Sequence, residues 1–207
     1  MKKYLVEFIG TFFLVFTVGC TVIAPGAGSM APLAIGASLM VMVYAGGHIS
    51  GGHFNPAVTF AVWLRGKCDS RDVIPYWLAQ LAAAAAAAWL ISFFKVPGAV
   101  QELIIGPKAA VAAEFLFTFA LAWVVLNSAT SKGTAGNSFY GLAIGMTVMV
   151  GAYAVGPISG GAFNPAVATG ITLMGIARWS HFWVYLVGEL GGAGAAAIAF
   201  KLVQGGE

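Results

Sequence analysis

Apolar positions along the chain gather into long runs separated by short polar connections. Six runs cover about 4–24, 30–47, 73–94, 109–128, 138–155 and 180–202. Each is near the roughly 20 apolar residues that a helix needs to cross a bilayer, so six membrane-spanning helices are predicted. Two further runs, about 55–64 and 164–175, are apolar but too short to cross, and segments of that length read as re-entrant or interfacial. Each of these two opens on Asn-Pro-Ala. Asn is a good helix N-cap, and Pro at the first helical position lacks an N–H that would be orphaned there anyway. Just upstream, Gly51-Gly52 and Gly160-Gly161 supply turns that let backbones approach closely. The short runs are predicted as half-helices.

Composition agrees with the pattern. The chain is 60% hydrophobic and 8% charged, with a mean hydropathy of +0.90, whereas soluble domains carry about 25% charge. Six spans use about 120 residues and leave about 85 for connections. A soluble secreted protein, a disulfide scaffold and a disordered chain are excluded, and function is expected inside the bilayer. The first run follows Met1-Lys2-Lys3 and carries Glu7; without a small-residue cleavage pattern it reads as a retained helix, not a signal peptide.

The net charge of +3 is spread too thinly for a nucleic-acid surface. It does suggest an orientation. With the N-terminus inside, Lys2, Lys3, Arg65, Lys67, Arg71, Lys132 and Lys201 lie inside, against Lys95, Lys108 and Arg178 outside. This predicts cytoplasmic termini. No targeting extension or long tail is visible, so the cell membrane is the expected location. Cys20 and Cys68 are expected near opposite faces, unable to pair.

The chain also repeats itself. Ile49-Ser50-Gly51-Gly52-His53-Phe54-Asn55-Pro56-Ala57-Val58 and Ile158-Ser159-Gly160-Gly161-Ala162-Phe163-Asn164-Pro165-Ala166-Val167 agree at nine of ten positions, at an offset of 109. The same offset carries Tyr76 onto Tyr185 and Gln80 onto Glu189, while Glu7-Phe8-Ile9-Gly10-Thr11-Phe12 echoes Glu114-Phe115-Leu116-Phe117-Thr118-Phe119. One unit is expected over about 1–97 and a second over about 109–207, joined by a loop at about 98–108. Three spans per unit is an odd number, so the second unit enters from the opposite side and the repeats are inverted. The half-helices then meet tip to tip near the midplane.

Two Asn-Pro-Ala boxes in an inverted six-span repeat resemble the aquaporin, or major intrinsic protein, family over nearly the whole chain. The stretch from His48 to Thr59 matches the family's first pore loop, and Tyr76 with Gln80 fits as well. The resemblance implies an all-α membrane protein with six transmembrane helices and two re-entrant half-helices. It implies a single channel domain over 1–207, assembled as a homotetramer in lipid and passing water and small neutral solutes without a cofactor or metal. Asn55-Pro56-Ala57 and Asn164-Pro165-Ala166 become the pore boxes. Their opposed helix N-termini each carry about half a positive charge, which disfavours cations and protons, and the Asn amides can donate to a passing water.

The family's selectivity neck maps here onto Ile35, Ala152, Gly161 and Val167. Water-selective members place an aromatic ring and a His at the first two and Arg at the last, so this neck is expected to be wider and less polar. Some plant vacuolar members share the Val and are associated with water, urea and hydrogen peroxide. Metalloid-permeating plant members have similarly small residues but keep the Arg. Glycerol-type members follow that Arg with Asp, where this chain has Ala168.

Buried acids cost roughly 2.5–3.5 kcal/mol each on insertion. The resemblance makes Glu7 and Glu114 supports of the pore loops, with Gln80 and Glu189 in symmetrical places. His48 is expected to offer its ring to the inner vestibule. His181 among Trp179 and Trp183 reads as an interfacial anchor, and Gly188, Gly191, Gly192, Gly194 and the alanines of 82–88 as small faces for close packing. The main reading is a passive channel. A channel for a larger neutral solute such as glycerol or a metalloid acid is the alternative. An alternating-access carrier also uses inverted repeats, but it needs a coupling site that the Asn, Gly and Pro of the loops do not offer. No nucleophile–base pair or metal-spaced cluster suggests an enzyme.

Overall fold

The computed structural model describes residues 1–96 and 98–205; position 97, where the first unit was expected to end, and positions 206–207 lie outside the described residues. The helices are α1 (Lys2–Val22), α2 (Ala31–Ser50), α3 (Pro56–Leu64), α4 (Ser70–Phe94), α5 (Pro107–Val125), α6 (Tyr140–Ser159), α7 (Pro165–Leu173) and α8 (Phe182–Gln204). α5 runs on into a π-helical turn, Leu126–Thr130. Six helices among the described residues are long and apolar enough to cross a membrane. The 9-residue α3 and α7 are the two half-helices.

Packing repeats between the halves. α1 lies against α4 and α5 against α8, while α2 meets α6 between them. Small residues make these approaches possible. A Cβ on Gly36 of α2 would come within 2.7 Å of the Gly145 carbonyl oxygen on α6, and one on Gly192 of α8 within 2.3 Å of the Phe115 carbonyl oxygen on α5. Ala83, Ala84, Ala87 and Ala88 of α4 are buried in the same way. Large apolar side chains such as Leu78, Trp89, Leu116 and Ile198 instead point outward, as a lipid-facing surface requires. Trp179 and Trp183 are exposed at the start of the last span, and both cysteines are free.

α2 and α6 stop at matching glycines. Gly51 and Gly160 adopt left-handed conformations (φ 91° and 95°) and close on the carbonyls of Gly47 and Gly156, a C-terminal cap that glycine makes cheaply. The chain then turns inward, and α3 and α7 begin at Asn caps in the interior.

Candidate functional site

Between each glycine cap and its half-helix runs irregular backbone that membrane depth leaves without water. It must be satisfied by protein. In the first loop the buried Glu7 carboxylate accepts from Ser50 Oγ (2.7 Å), the His53 N–H (2.9 Å), the Phe54 N–H (2.6 Å) and Gln80 Nε2 (2.8 Å). Gln80 also donates to Thr59 Oγ1, and the Tyr76 hydroxyl to the Ser50 carbonyl. In the second loop Glu114 accepts from the Ala162 and Phe163 N–H groups (3.1 and 2.7 Å), Glu189 from the Asn164 N–H (2.9 Å), and the Tyr185 hydroxyl donates to the Ser159 carbonyl.

The half-helix tips are tied to one another. Asn55 Oδ1 accepts from the Ala57 and Val58 N–H groups, and Asn164 Oδ1 from the Ala166 N–H. Their amide nitrogens cross over. Asn55 Nδ2 donates to the Phe163 carbonyl and Asn164 Nδ2 to the Phe54 carbonyl, both at 2.8 Å. Phe54 and Phe163 hold positive φ values of 48° and 49°, uncommon for bulky residues and costing of order 1–3 kcal/mol each. That conformation sends each N–H to its supporting Glu and each carbonyl to the opposite Asn. An Asn amide has two N–H bonds; one is spent on the crossing tie, so one remains for the cavity that both Asn residues line.

That cavity is narrow, about 50 Å³, and lies on the axis between the half-helices. It opens into a vestibule of about 380 Å³ on the face bearing the chain termini and one of about 660 Å³ on the other face. Ile35, Ala152, Gly161 and Val167 all line the narrow part, with Val18, Leu39, Val148 and Ile171 continuing its apolar wall. Polar side chains in the lining are Asn55, Asn164 and His53.

His48 is not where the sequence suggested. It is exposed in the last turn of α2 and does not line the vestibule on the termini face. Ser50 of that turn points at the buried Glu7, and two residues along a helix is about 200° of rotation, so His48 faces away. The vestibule histidine is His53, which borders both the narrow cavity and the termini-side mouth. Its Nδ1 lies 3.1 Å from Thr59 Oγ1 and its ring is tilted against Tyr76. The one mismatch in the ten-residue repeat, His53 against Ala162, was the available signal.

A model of the major intrinsic protein family matches residues 1–200. The chain belongs to this family. It is therefore an integral, multi-pass membrane protein. Relatives among the major intrinsic proteins include aquaporin NIP1-3 of Oryza sativa subsp. japonica, 40% identical over 98% of this chain and 74% of that protein. Glycerol uptake facilitator protein-like 6 of Lactiplantibacillus plantarum is likewise 40% identical, over 98% of both chains. The X-ray structure of the aquaglyceroporin from Plasmodium falciparum has the same fold, with a TM-score of 0.80 over 98% of this chain and 96% of that one at 22% identity.

Proposed function

We propose that this chain is a passive pore for water and for small uncharged solutes of the urea, hydrogen peroxide, ammonia or glycerol class. The observation that carries the reading is the narrow cavity lined by Asn55, Asn164 and apolar side chains, between two open vestibules. A water needs roughly 10–15 Å³ of accessible space, so about 50 Å³ admits a short file of molecules. At its midpoint two helix N-termini oppose one another, the arrangement already recognised in aquaporin-type pores as excluding protons and cations. The spare N–H of each Asn amide fixes the oxygen of a passing water, which breaks a continuous proton wire.

The neck residues Ile35, Ala152, Gly161 and Val167 select by size and not by charge. None brings a guanidinium or any other fixed donor, so solutes larger than water are not turned back. Similarity to a protein named as a glycerol uptake facilitator favours a neck that passes small polyols; similarity to one named as an aquaporin favours water. Both are served by one apolar constriction. The pore-loop braces are Glu7 with Gln80 and Glu114 with Glu189. By analogy with the family the unit is a homotetramer with one pore per protomer, placed in the cell membrane with both termini cytoplasmic.

Osmotic and solute-gradient swelling of proteoliposomes tests this. Fast water entry with a low activation energy, together with measurable urea, glycerol and hydrogen peroxide entry, is expected. Water entry alone would refute the permissive neck, and a saturable, high-activation-energy flux would refute the pore.

A further inference from the structure

Glu189 occupies the place where the first repeat has Gln80, and the substitution creates an imbalance. Gln80 gives an N–H to Glu7. Glu189 is an acid with no N–H to give. Its Oε1 accepts from the Asn164 N–H at 2.9 Å, but its Oε2 is fully buried and no protein donor reaches it. The Glu114 carboxyl group is its neighbour: it takes the two preceding N–H groups, those of Ala162 and Phe163, and a Cβ on Gly188, beside Glu189, would lie 2.8 Å from Glu114 Cβ. Both side chains are 0% exposed.

The surroundings decide what such a pair can be. Acting on it are the backbone N–H groups of Ala162, Phe163 and Asn164, the hydroxyl of Ser159 at the end of α6, and Tyr185 of α8. The Tyr185 hydroxyl is already committed to the Ser159 carbonyl. None of these is a cation. Two ionised carboxylates in contact in such a place would carry both the desolvation cost and the like-charge repulsion. A single proton removes the repulsion and one of the two buried charges, leaving the other on Glu114, where the Ala162 and Phe163 N–H groups stabilise it. It also explains the unpartnered oxygen. A protonated Oε2 has an O–H to donate to Glu114, as Gln80 Nε2 donates to Glu7.

We propose that Glu114 and Glu189 hold one shared proton, carried on Glu189 Oε2 and donated to Glu114, so that a neutral carboxylic acid positions the Asn164 end of the pore. Glu189 is a positioning residue in this scheme. Its acid form supplies a donor toward Glu114 through Oε2 and an acceptor toward the Asn164 N–H through Oε1, the two ends of one brace. Neither carboxylate alone could do both. The consequence for permeation rests on the pore reading above; the protonation state does not.

Infrared difference spectroscopy of the reconstituted full chain at neutral pH, in H₂O and D₂O, reads the proton directly. Wild type is expected to show the carbonyl stretch of a buried carboxylic acid. Glu189→Gln should abolish that band yet keep water permeability within about twofold, because an amide supplies the donor that the acid supplied. Glu189→Leu is expected to lose the band and to reduce permeability about tenfold or more, since the Asn164 N–H is then orphaned. Glu114→Gln serves as a second reporter of the same band. A band that survives in Glu189→Gln, or a Glu189→Gln protein as impaired as Glu189→Leu, would overturn the proposal. A permeable wild type without an acid band defeats the pair and leaves the pore; an impermeable wild type with the band does the reverse.

Discussion

The two pore loops share a backbone and differ in what holds and lines them. Around 51–55 one carboxylate, Glu7, gathers four donors, and His53 fills the approach to the cavity. Around 160–164 the support is divided between Glu114 and Glu189, and Ala162 replaces the ring. The termini-side half of the constriction is thus polar and filled, while the other half is framed by Ile35, Ala152 and Val167 and opens into the larger vestibule. Duplicated backbone sets a symmetrical electrostatic midpoint. Unduplicated side chains decide what passes on either side of it.

Loss of Glu7 is expected to do the greatest damage. Glu7→Ala strands the His53 and Phe54 N–H groups, the Ser50 hydroxyl and one of the two Gln80 amide N–H bonds in a dry interior. Each orphan costs about 1–3 kcal/mol, so the total rivals a whole protein's stability of about 5–15 kcal/mol. Little folded protein should survive size-exclusion chromatography in mild detergent. Glu114→Ala strands fewer groups and leaves Glu189 in place, so a larger folded fraction with a lowered unfolding temperature is expected. Equal losses from the two variants would show that the loops are not held unequally.

Next in size is a change at the neck. Val167 repeats Val58 of the first box and lines the narrow cavity. Val167→Arg would place a planar, permanently charged fork there. Urea and glycerol flux should fall about tenfold or more, a scale typical of adding or removing one group in a fitted pocket, while water flux changes far less. Swelling rates in the three gradients measure this. Unchanged ratios would mean that selection occurs on the His53 side.

How far this asymmetry could be read from sequence depended on whether the information was local. Asn55-Pro56 and Asn164-Pro165 announce half-helix starts because capping and the missing proline N–H act within one turn, and α3 and α7 begin at those prolines. The apolar runs located the spans to within a few residues; the fourth run, ending near 128, meets a π-helical turn at Leu126–Thr130 that hydrophobicity does not mark. Nothing in a phenylalanine signals a positive φ, so the strained Phe54 and Phe163 and their crossed ties to the Asn amides were invisible until both loops were brought together. That His53, and not the expected His48, borders the vestibule turns on helix rotation at the end of α2, which adjacency alone does not convey.

A smaller effect is expected where the two ten-residue boxes disagree. His53→Ala removes a ring that borders both the narrow cavity and the termini-side vestibule, and a modest rise in urea and glycerol flux should follow. Ala162→His should do the opposite, adding a ring to the wider half and lowering both fluxes. If both substitutions leave the solute ratios alone, the ring does not set the inner width and the difference between the halves lies entirely at the neck.

The smallest effect belongs to the link between the repeats. Leu103 donates its N–H to the Ile176 carbonyl, and Glu102 pairs with Arg178 beside the larger vestibule. The Arg178 guanidinium, by its hydrogen bond and then its charge, holds the Glu102 carboxyl below the ordinary value of 4.5. A depressed acid contributes stability above its unfolded-state value and loses it as pH falls through the folded value, so this pair should weaken only below pH 4.5. Both side chains are substantially exposed, and exposed pairs are weak and screened by salt. Arg178→Gln is therefore expected to leave the unfolding temperature at neutral pH nearly unchanged, with any small drop disappearing in high salt or at acidic pH. A large, salt-resistant drop would mean that the two halves depend on this surface tie rather than on the crossed Asn amides at their centre.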